Sequence, residues 1–201
     1  LLEHKPAFLQ EDATYFIVPS TLNALQKIAS WHRSHFKYQV IGITGSYGKS
    51  ILKEWLFDLL CNQYNVVRSP KSYNSQLGVP LSIFQMSEKN SLGIFEAGIS
   101  KPNEMYRLSE IIKPTIGVFT NIGNAHQENF TSIDEKIDEK IQLFQTAELI
   151  IYPSKYENIS ERLKKNYPNK KLVAWGERND DFLRIQSIDT RSTQTSVSFF
   201  I

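Results

Sequence analysis

Eleven consecutive residues, Val40-Ile41-Gly42-Ile43-Thr44-Gly45-Ser46-Tyr47-Gly48-Lys49-Ser50, run from a β-branched stretch through three glycines into an amphipathic pattern. That is the composition of a phosphate loop. Glycines let backbone N–H groups turn onto phosphate oxygens, and a helix N-terminus adds the positive end of its dipole. A lysine neutralises charge on the β/γ-phosphates and a hydroxyl can ligate magnesium. The predicted nucleotide contacts are therefore Gly45, Ser46, Tyr47, Gly48, Lys49 and Ser50. The generic motif places its first glycine five residues before the second; here that position is Ile43, and the glycines fall at 42, 45 and 48. The competing reading, a glycine-rich turn entering a helix, does not need strand, Gly-Lys-Ser triplet and helix together.

Other chemistry-bearing residues end apolar runs. Leu92-Gly93-Ile94-Phe95-Glu96-Ala97-Gly98 delivers an acid where a nucleotide-bound magnesium finds its carboxylate, although a helix-capping or surface acid would look the same. Thr115–Phe119 leads into Thr120-Asn121-Ile122-Gly123-Asn124-Ala125-His126, which brings an asparagine and a histidine toward the same edge. Beyond it, Ser132 and Glu135 form a capping-box pattern, so a helix begins near Ile133. At about 100° per residue, Ile133, Ile137, Ile141 and Phe144 share an arc of about 80°. Lys140 falls at about −20°, on the margin of that buried stripe. Lys136, at about −60°, is expected to snorkel to water. Helical geometry alone leaves Lys140 either a snorkelling cation or an inward amine.

Positioning these groups requires a sheet. Strands are expected at 38–44, 65–68, 92–96, 115–121, 148–152 and 171–175, alternating with helices at 21–35, 49–62, 79–86, 103–112, 132–146 and 156–167. That alternation predicts an α/β fold with a doubly wound, mostly parallel sheet, whose ligands collect beyond the carboxyl ends of the strands. In the helix after the phosphate loop, Leu52, Trp55, Leu56, Leu59 and Leu60 are expected to form the buried face. After Arg178, alternation without helices (182–188, then 196–201) predicts a β-hairpin at the sheet edge.

The 201 residues suit one domain or one domain plus a fragment of a neighbour. With 41% hydrophobic and 22% charged residues, a folded globular chain is expected rather than a disordered one. Lysine and arginine total 23 against 21 acids, so no broad positive field favours nucleic acid or an anionic membrane as partner. Phosphate recognition must be local. The single cysteine, Cys61, lies in an apolar helical pattern that predicts a buried thiol, and no apolar run of membrane-spanning length occurs. A cytoplasmic location fits these features. The basic cluster Lys164, Lys165, Lys170 and Lys171 reads as a solvated helix end and turn. The chain starts on leucine and reaches Ile201 inside an apolar run, which predicts a piece of a longer protein.

The segments Gly42–Ser50, Ser72-Tyr73-Asn74-Ser75-Gln76-Leu77-Gly78-Val79-Pro80-Leu81, Phe95–Gly98 and Thr120–His126 together resemble the ATP-binding central domain of the Mur ligases. These enzymes build the peptide of bacterial cell-wall precursors. The likeness covers about Thr21 to Thr146, and is strongest to the branch of the family that joins D-alanyl-D-alanine to UDP-N-acetylmuramoyl-tripeptide. The wording of 72–81 and 126–130 is similar to the form fused to an alanine racemase, which makes such a domain an expected partner.

The resemblance implies ATP and Mg2+ as cofactors and amide formation through an acyl phosphate. It assigns Ser50 and Glu96 to one magnesium, His126 to a second, and Asn74 and Asn121 to the surroundings of nucleotide and substrate. It also implies that Lys140, fourteen residues after His126, becomes carbamylated and helps place the second metal, giving Lys49, His126 and Lys140 catalytic roles. Burial would favour this, since a desolvated amine has the lowered pKa needed to capture carbon dioxide.

Two positions depart from the family pattern: Ile51 replaces a second hydroxyl, and Tyr47 stands where asparagine or a small residue is usual. Residues 1–20 are expected to be the tail of an N-terminal UDP-sugar-binding domain, and 21–201 an incomplete central domain inactive by itself. Another Mur or folylpolyglutamate-type ligase, or a noncatalytic nucleotide-binding module, stays open on sequence.

Overall fold

The computed structural model describes residues 1–8, 10, 12–125 and 127–201. The predicted histidine, His126, lies outside the described residues. Strands β1 (Gln39–Thr44), β2 (Val66–Arg68), β3 (Leu92–Glu96), β4 (Ile116–Phe119), β5 (Leu149–Pro153), β6 (Lys171–Gly176), β7 (Leu183–Thr190) and β8 (Thr195–Phe200) form one sheet in the order β2-β3-β1-β4-β5-β6-β7-β8. All neighbours are parallel except the β7–β8 hairpin. This is the doubly wound sheet with a terminal hairpin that the alternation predicts. The helices are α1 (Thr21–Ser34), α2 (Lys49–Leu60), α3 (Gly78–Ile83), α4 (Met105–Ile112), α5 (Ile133–Ile141) and α6 (Glu157–Asn166).

Alternation along the strands divides the core between the two sheet faces. Val40, Phe95, Phe119 and Ile150 face a large cluster built with α1, α3, α4, α5 and α6. Ile41, Ile43, Ile94 and Val118 face the other way, toward Leu52, Leu56 and Leu60 of α2. Strand β1 lies between β3 and β4, where the chain changes its direction of progress across the sheet. Its register brings three strand ends level: Ile43 pairs with Glu96, and Thr44 with Phe119. Ligands of open parallel sheets gather in the crevice beyond such a switch point.

Several expectations need correction. Helix α2 is rotated from its predicted face: Trp55 and Leu59 are 65% and 73% exposed, while Lys53 is fully buried. The inward arc is centred nearer Lys49, Lys53, Leu56 and Leu60, because the sheet edge offers Lys53 a carboxylate that an apolar wheel cannot register. Cys61 caps α2 and is exposed. Lys136 is buried, its ammonium held by the Gly123 carbonyl at 2.6 Å instead of by water. Lys170, expected to be solvated, donates to the carbonyls of Phe144 and Gln145. Among the described residues, no helix is long and apolar enough to cross a membrane.

Candidate functional site

The turn from β1 into α2 depends on glycine at two positions. Gly45 has φ of 142° and Gly48 of 77°, conformations that a Cβ disfavours; at Gly45 a Cβ would also lie 2.0 Å from the Thr120 hydroxyl. The loop is fastened by the segment after β4. Ser46 N donates to the Asn121 carbonyl at 2.9 Å, and Tyr47 N to Asn121 Oδ1 at 2.9 Å. Asn121 Nδ2 and the Thr120 hydroxyl both donate to the Tyr47 carbonyl, at 3.1 and 2.7 Å. The Tyr47 ring lies against Gly123, where a Cβ would approach it to 2.8 Å.

Asn121 is thus placed as a clasp on the phosphate loop, with both ends of its amide bonded to Tyr47. In this arrangement the Ser46 and Tyr47 amides are committed to Asn121. The amides of Gly48, Lys49 and Ser50 stand at the start of α2, where helix geometry supplies no intrahelical acceptor and the dipole favours an anion.

Two lysines from distant parts of the chain converge on one oxygen. Lys49 Nζ donates to the Gly45 carbonyl at 2.9 Å, and Lys140 Nζ, from α5, donates to the same carbonyl at 3.2 Å. Lys140 arrives because α5 is set by its cap. The Ser132 hydroxyl accepts from Glu135 N, as the sequence pattern predicts, while the Glu135 carboxylate reaches back to accept from Thr131 N. Ile137 and Ile141 then bury the inward stripe and carry Lys140 with them, 3% exposed. Burial, reinforced by the nearby cations of Lys49 and Lys136 and opposed by Glu139, pushes the Lys140 amine down to about 7. Burial also lowers Lys49, against the pull of Glu96.

Beside the lysines lies the predicted acid. Glu96 is fully buried at the end of β3, and the Ser50 hydroxyl sits 3.1 and 2.9 Å from its two oxygens. Asn74 Nδ2 donates to Glu96 Oε2 at 3.2 Å, which places Asn74 against the acid. A hydroxyl and a carboxylate in contact at a phosphate loop are hard oxygen donors of the kind magnesium selects. Among the described residues no cluster of three His, Cys, Asp or Glu side chains could hold a metal alone, so the set suits an ion that takes its remaining ligands from phosphate and water.

A cleft of about 380 Å³ opens over this floor, lined by Gly45, Ser46, Lys49, Asn74, Lys140 and Ala125, the residue before His126. Of the predicted residues, Lys49, Asn74 and Lys140 therefore line one crevice, Glu96 and Ser50 lie behind Asn74 through the hydrogen bonds given above, and Asn121 holds the loop that forms the floor. Sequence reasoning missed Lys53, whose ammonium lies 3.0 Å from Glu96 Oε1, and expected Lys136, four residues from Lys140 on α5, to reach water where the structure buries it. The available signal for Lys53 was its spacing, one helical turn after Lys49.

The model of the Mur ligase middle domain matches residues 43–201. The UDP-N-acetylmuramoyl-tripeptide–D-alanyl-D-alanine ligase of Borreliella burgdorferi is 33% identical over 170 residues, 81% of this chain and 36% of that protein. MurF from Acinetobacter baumannii superposes with a TM-score of 0.87 at 22% identity, over 98% of this chain and 43% of that one. MurF ligase from Thermotoga maritima in complex with ADP gives 0.82 at 24% identity, over 96% and 45%. The chain spans 36% of the length of the Borreliella relative and less than half of either solved chain.

Proposed function

We propose a function for this chain on one premise: it belongs to the Mur ligase family, whose middle domain it contains. It is the ATP-binding part of an ATP-dependent ligase that adds D-alanyl-D-alanine to UDP-N-acetylmuramoyl-tripeptide in the cytoplasm, a step of peptidoglycan precursor synthesis. Residues 1–20 are the tail of the N-terminal UDP-sugar-binding domain and 21–201 belong to the central domain. The Borreliella relative is named as the ligase of this same pair, which supports the choice of substrates. The similarity of 72–81 and 126–130 to the racemase-fused form supports an alanine racemase domain in the same polypeptide.

One observation carries the reading: Lys49 and Lys140 meet on the Gly45 carbonyl, directly beside the Ser50–Glu96 contact. The amides of Gly48, Lys49 and Ser50 hold the phosphate chain, and the Lys49 ammonium leaves Gly45 for the β- and γ-phosphates. Ser50 and Glu96 would hold Mg2+, which when bound would neutralise phosphate charge. Asn74 orients the Glu96 carboxylate, and Asn121 holds the shape of the loop. Lys140, if carbamylated, would together with His126 serve a second magnesium. Transfer of the γ-phosphoryl group to the substrate carboxylate releases ADP and gives an acyl phosphate; the amine of D-alanyl-D-alanine attacks its carbonyl carbon, and the amide forms as phosphate leaves and the amine proton is lost. Phosphoryl transfer requires little covalent work from protein groups, so these residues act by position and charge.

The test is a coupled assay of the full-length protein with ATP, D-alanyl-D-alanine and UDP-N-acetylmuramoyl-tripeptide. The expected result is UDP-N-acetylmuramoyl-pentapeptide with one ADP and one phosphate per amide formed. Turnover of a different acceptor or amine, with none of this pair, would overturn the assignment. Lys49→Ala should abolish MgATP binding by calorimetry, and equal affinity in both proteins would contradict the loop's role.

A further inference from the structure

The most deeply buried cation of the site has no part in the mechanism above. Lys53 is fully buried on α2, one turn after Lys49. Its ammonium donates to Glu96 Oε1 at 3.0 Å and to the Lys71 carbonyl, and lies 3.2 Å from Glu54 Oε1. Lys71 has φ of 49°, a left-handed turn that aims its carbonyl inward at the head of the segment leading to Asn74. One side chain thereby joins the phosphate-loop helix, the acid-bearing strand and the loop that carries Asn74.

The two oxygens of Glu96 are not equivalent. Oε1 accepts from the Lys53 ammonium and, at 3.1 Å, from Ser50. Oε2 accepts only neutral donors among the described residues, the Ser50 hydroxyl at 2.9 Å and the Asn74 amide at 3.2 Å. A charge-assisted bond between two groups of zero exposure is hard to displace, whereas a serine hydroxyl can turn from donor to ligand in place. The ammonium cannot easily follow the carboxylate either, since Lys71 and Glu54 hold it from the other side. Fold stability alone does not call for such a pair, because a buried ion pair is commonly matched or bettered by apolar side chains of similar volume.

We propose that Lys53 is a positioning residue: it pins Oε1 of Glu96 and so presents Oε2, with the Ser50 hydroxyl, to the magnesium of the bound nucleotide. The inference rests on the assignment of Glu96 to magnesium made above. Lys53 touches neither nucleotide nor metal and acts through Glu96.

The experiment measures ADP affinity by calorimetry, with Mg2+ and with EDTA, for the full-length wild type, Lys53→Met, Glu96→Gln and the double variant. The readout is the factor by which Mg2+ tightens ADP binding. Lys53→Met should cut that factor roughly 10–100-fold, the usual effect of losing a residue that orients a metal ligand. ADP affinity in EDTA should stay within about twofold of wild type. In the Glu96→Gln background, Lys53→Met should change the factor by no more than about twofold, because the group it acts through is gone.

An unchanged or larger factor in Lys53→Met would overturn the proposal, as would an equal loss with and without the Glu96 carboxylate. If Glu96→Gln itself left the factor at its wild-type value, the magnesium assignment of Glu96 would fail, and the role of Lys53 with it. Circular dichroism verifies folding. Should Lys53→Met not fold, Lys53→Gln keeps a donor without the charge and is held to the same outcomes.

Discussion

Lys140 is costly to bury, and its cost is measurable. An unfolded lysine titrates near 10.4, whereas the folded Lys140 amine is pushed down to about 7. Between those values the unfolded chain holds a proton that the folded chain has released, so the Lys140 contribution to stability rises with pH across that window. Below about 7 both states are protonated and the full cost of burying the charge remains. Lys140→Met should therefore be more stable than wild type at pH 7, with an advantage about 2–4 kcal/mol smaller at pH 10, measured by denaturant titration without added bicarbonate. A constant difference between the two pH values would refute the desolvation argument. On function, Lys140→Ala in the full-length enzyme should lose ligation and partly regain it with added short-chain carboxylates; full activity without rescue would remove Lys140 from the mechanism.

At the residue scale, what is legible in the sequence is what local geometry sets. Lys140 stood out because it broke an apolar stripe set by Ile133, Ile137 and Ile141. The burial of Lys136 and Lys53 is not legible in the sequence for a shared reason: each is buried by an acceptor from elsewhere in the chain, the Gly123 carbonyl and the Glu96 carboxylate, which no single helix pattern contains.

Among elements, the phosphate loop and α5 carry the sharpest expectations. Gly45→Ala combines a backbone angle suited to glycine with a Cβ 2.0 Å from the Thr120 hydroxyl. It should destabilise the fold by about 1–3 kcal/mol and abolish nucleotide binding, because the β4 loop must move to admit it. Wild-type affinity in this variant would show that the clasp between Tyr47 and Asn121 is dispensable. Ser132→Ala removes the acceptor of Glu135 N and should cost about 1 kcal/mol, read from the denaturation midpoint.

Element identity was legible from period and caps, and element ends differ from expectation by a few residues where turns tighten, as at 142–144, where the predicted end of the α5 helix becomes a short 3-10 turn. The rotation of α2 was not legible. Its leucines fit two overlapping stripes, and the choice between them was made by the buried partner of Lys53.

For the whole molecule, packing predicts an order of opening. Strands β1, β3 and β4 lie inside the sheet beneath both hydrophobic clusters, whereas β8 is exposed along its length and, among the described residues, pairs only with β7. Amide hydrogen exchange should be slowest in 39–44 and 92–96 and fastest within the sheet at 195–200. Equal protection of β8 and β1 would refute this gradient. The alternation of strands and helices made the sheet class readable, but strand order was not, since it depends on where each crossover returns.

The convergence of Lys49, Ser50, Glu96 and Lys140 on one crevice is the claim that all scales share. Its most direct test is a crystal structure of the full-length protein with a nonhydrolysable ATP analogue and Mn2+ in place of Mg2+, with the ion located by anomalous scattering. The expected result is a peak within ligand distance of Ser50 Oγ and Glu96 Oε2, with the β-phosphate on the amides of residues 48–50. A peak away from Glu96, or a nucleotide bound outside this crevice, would contradict it.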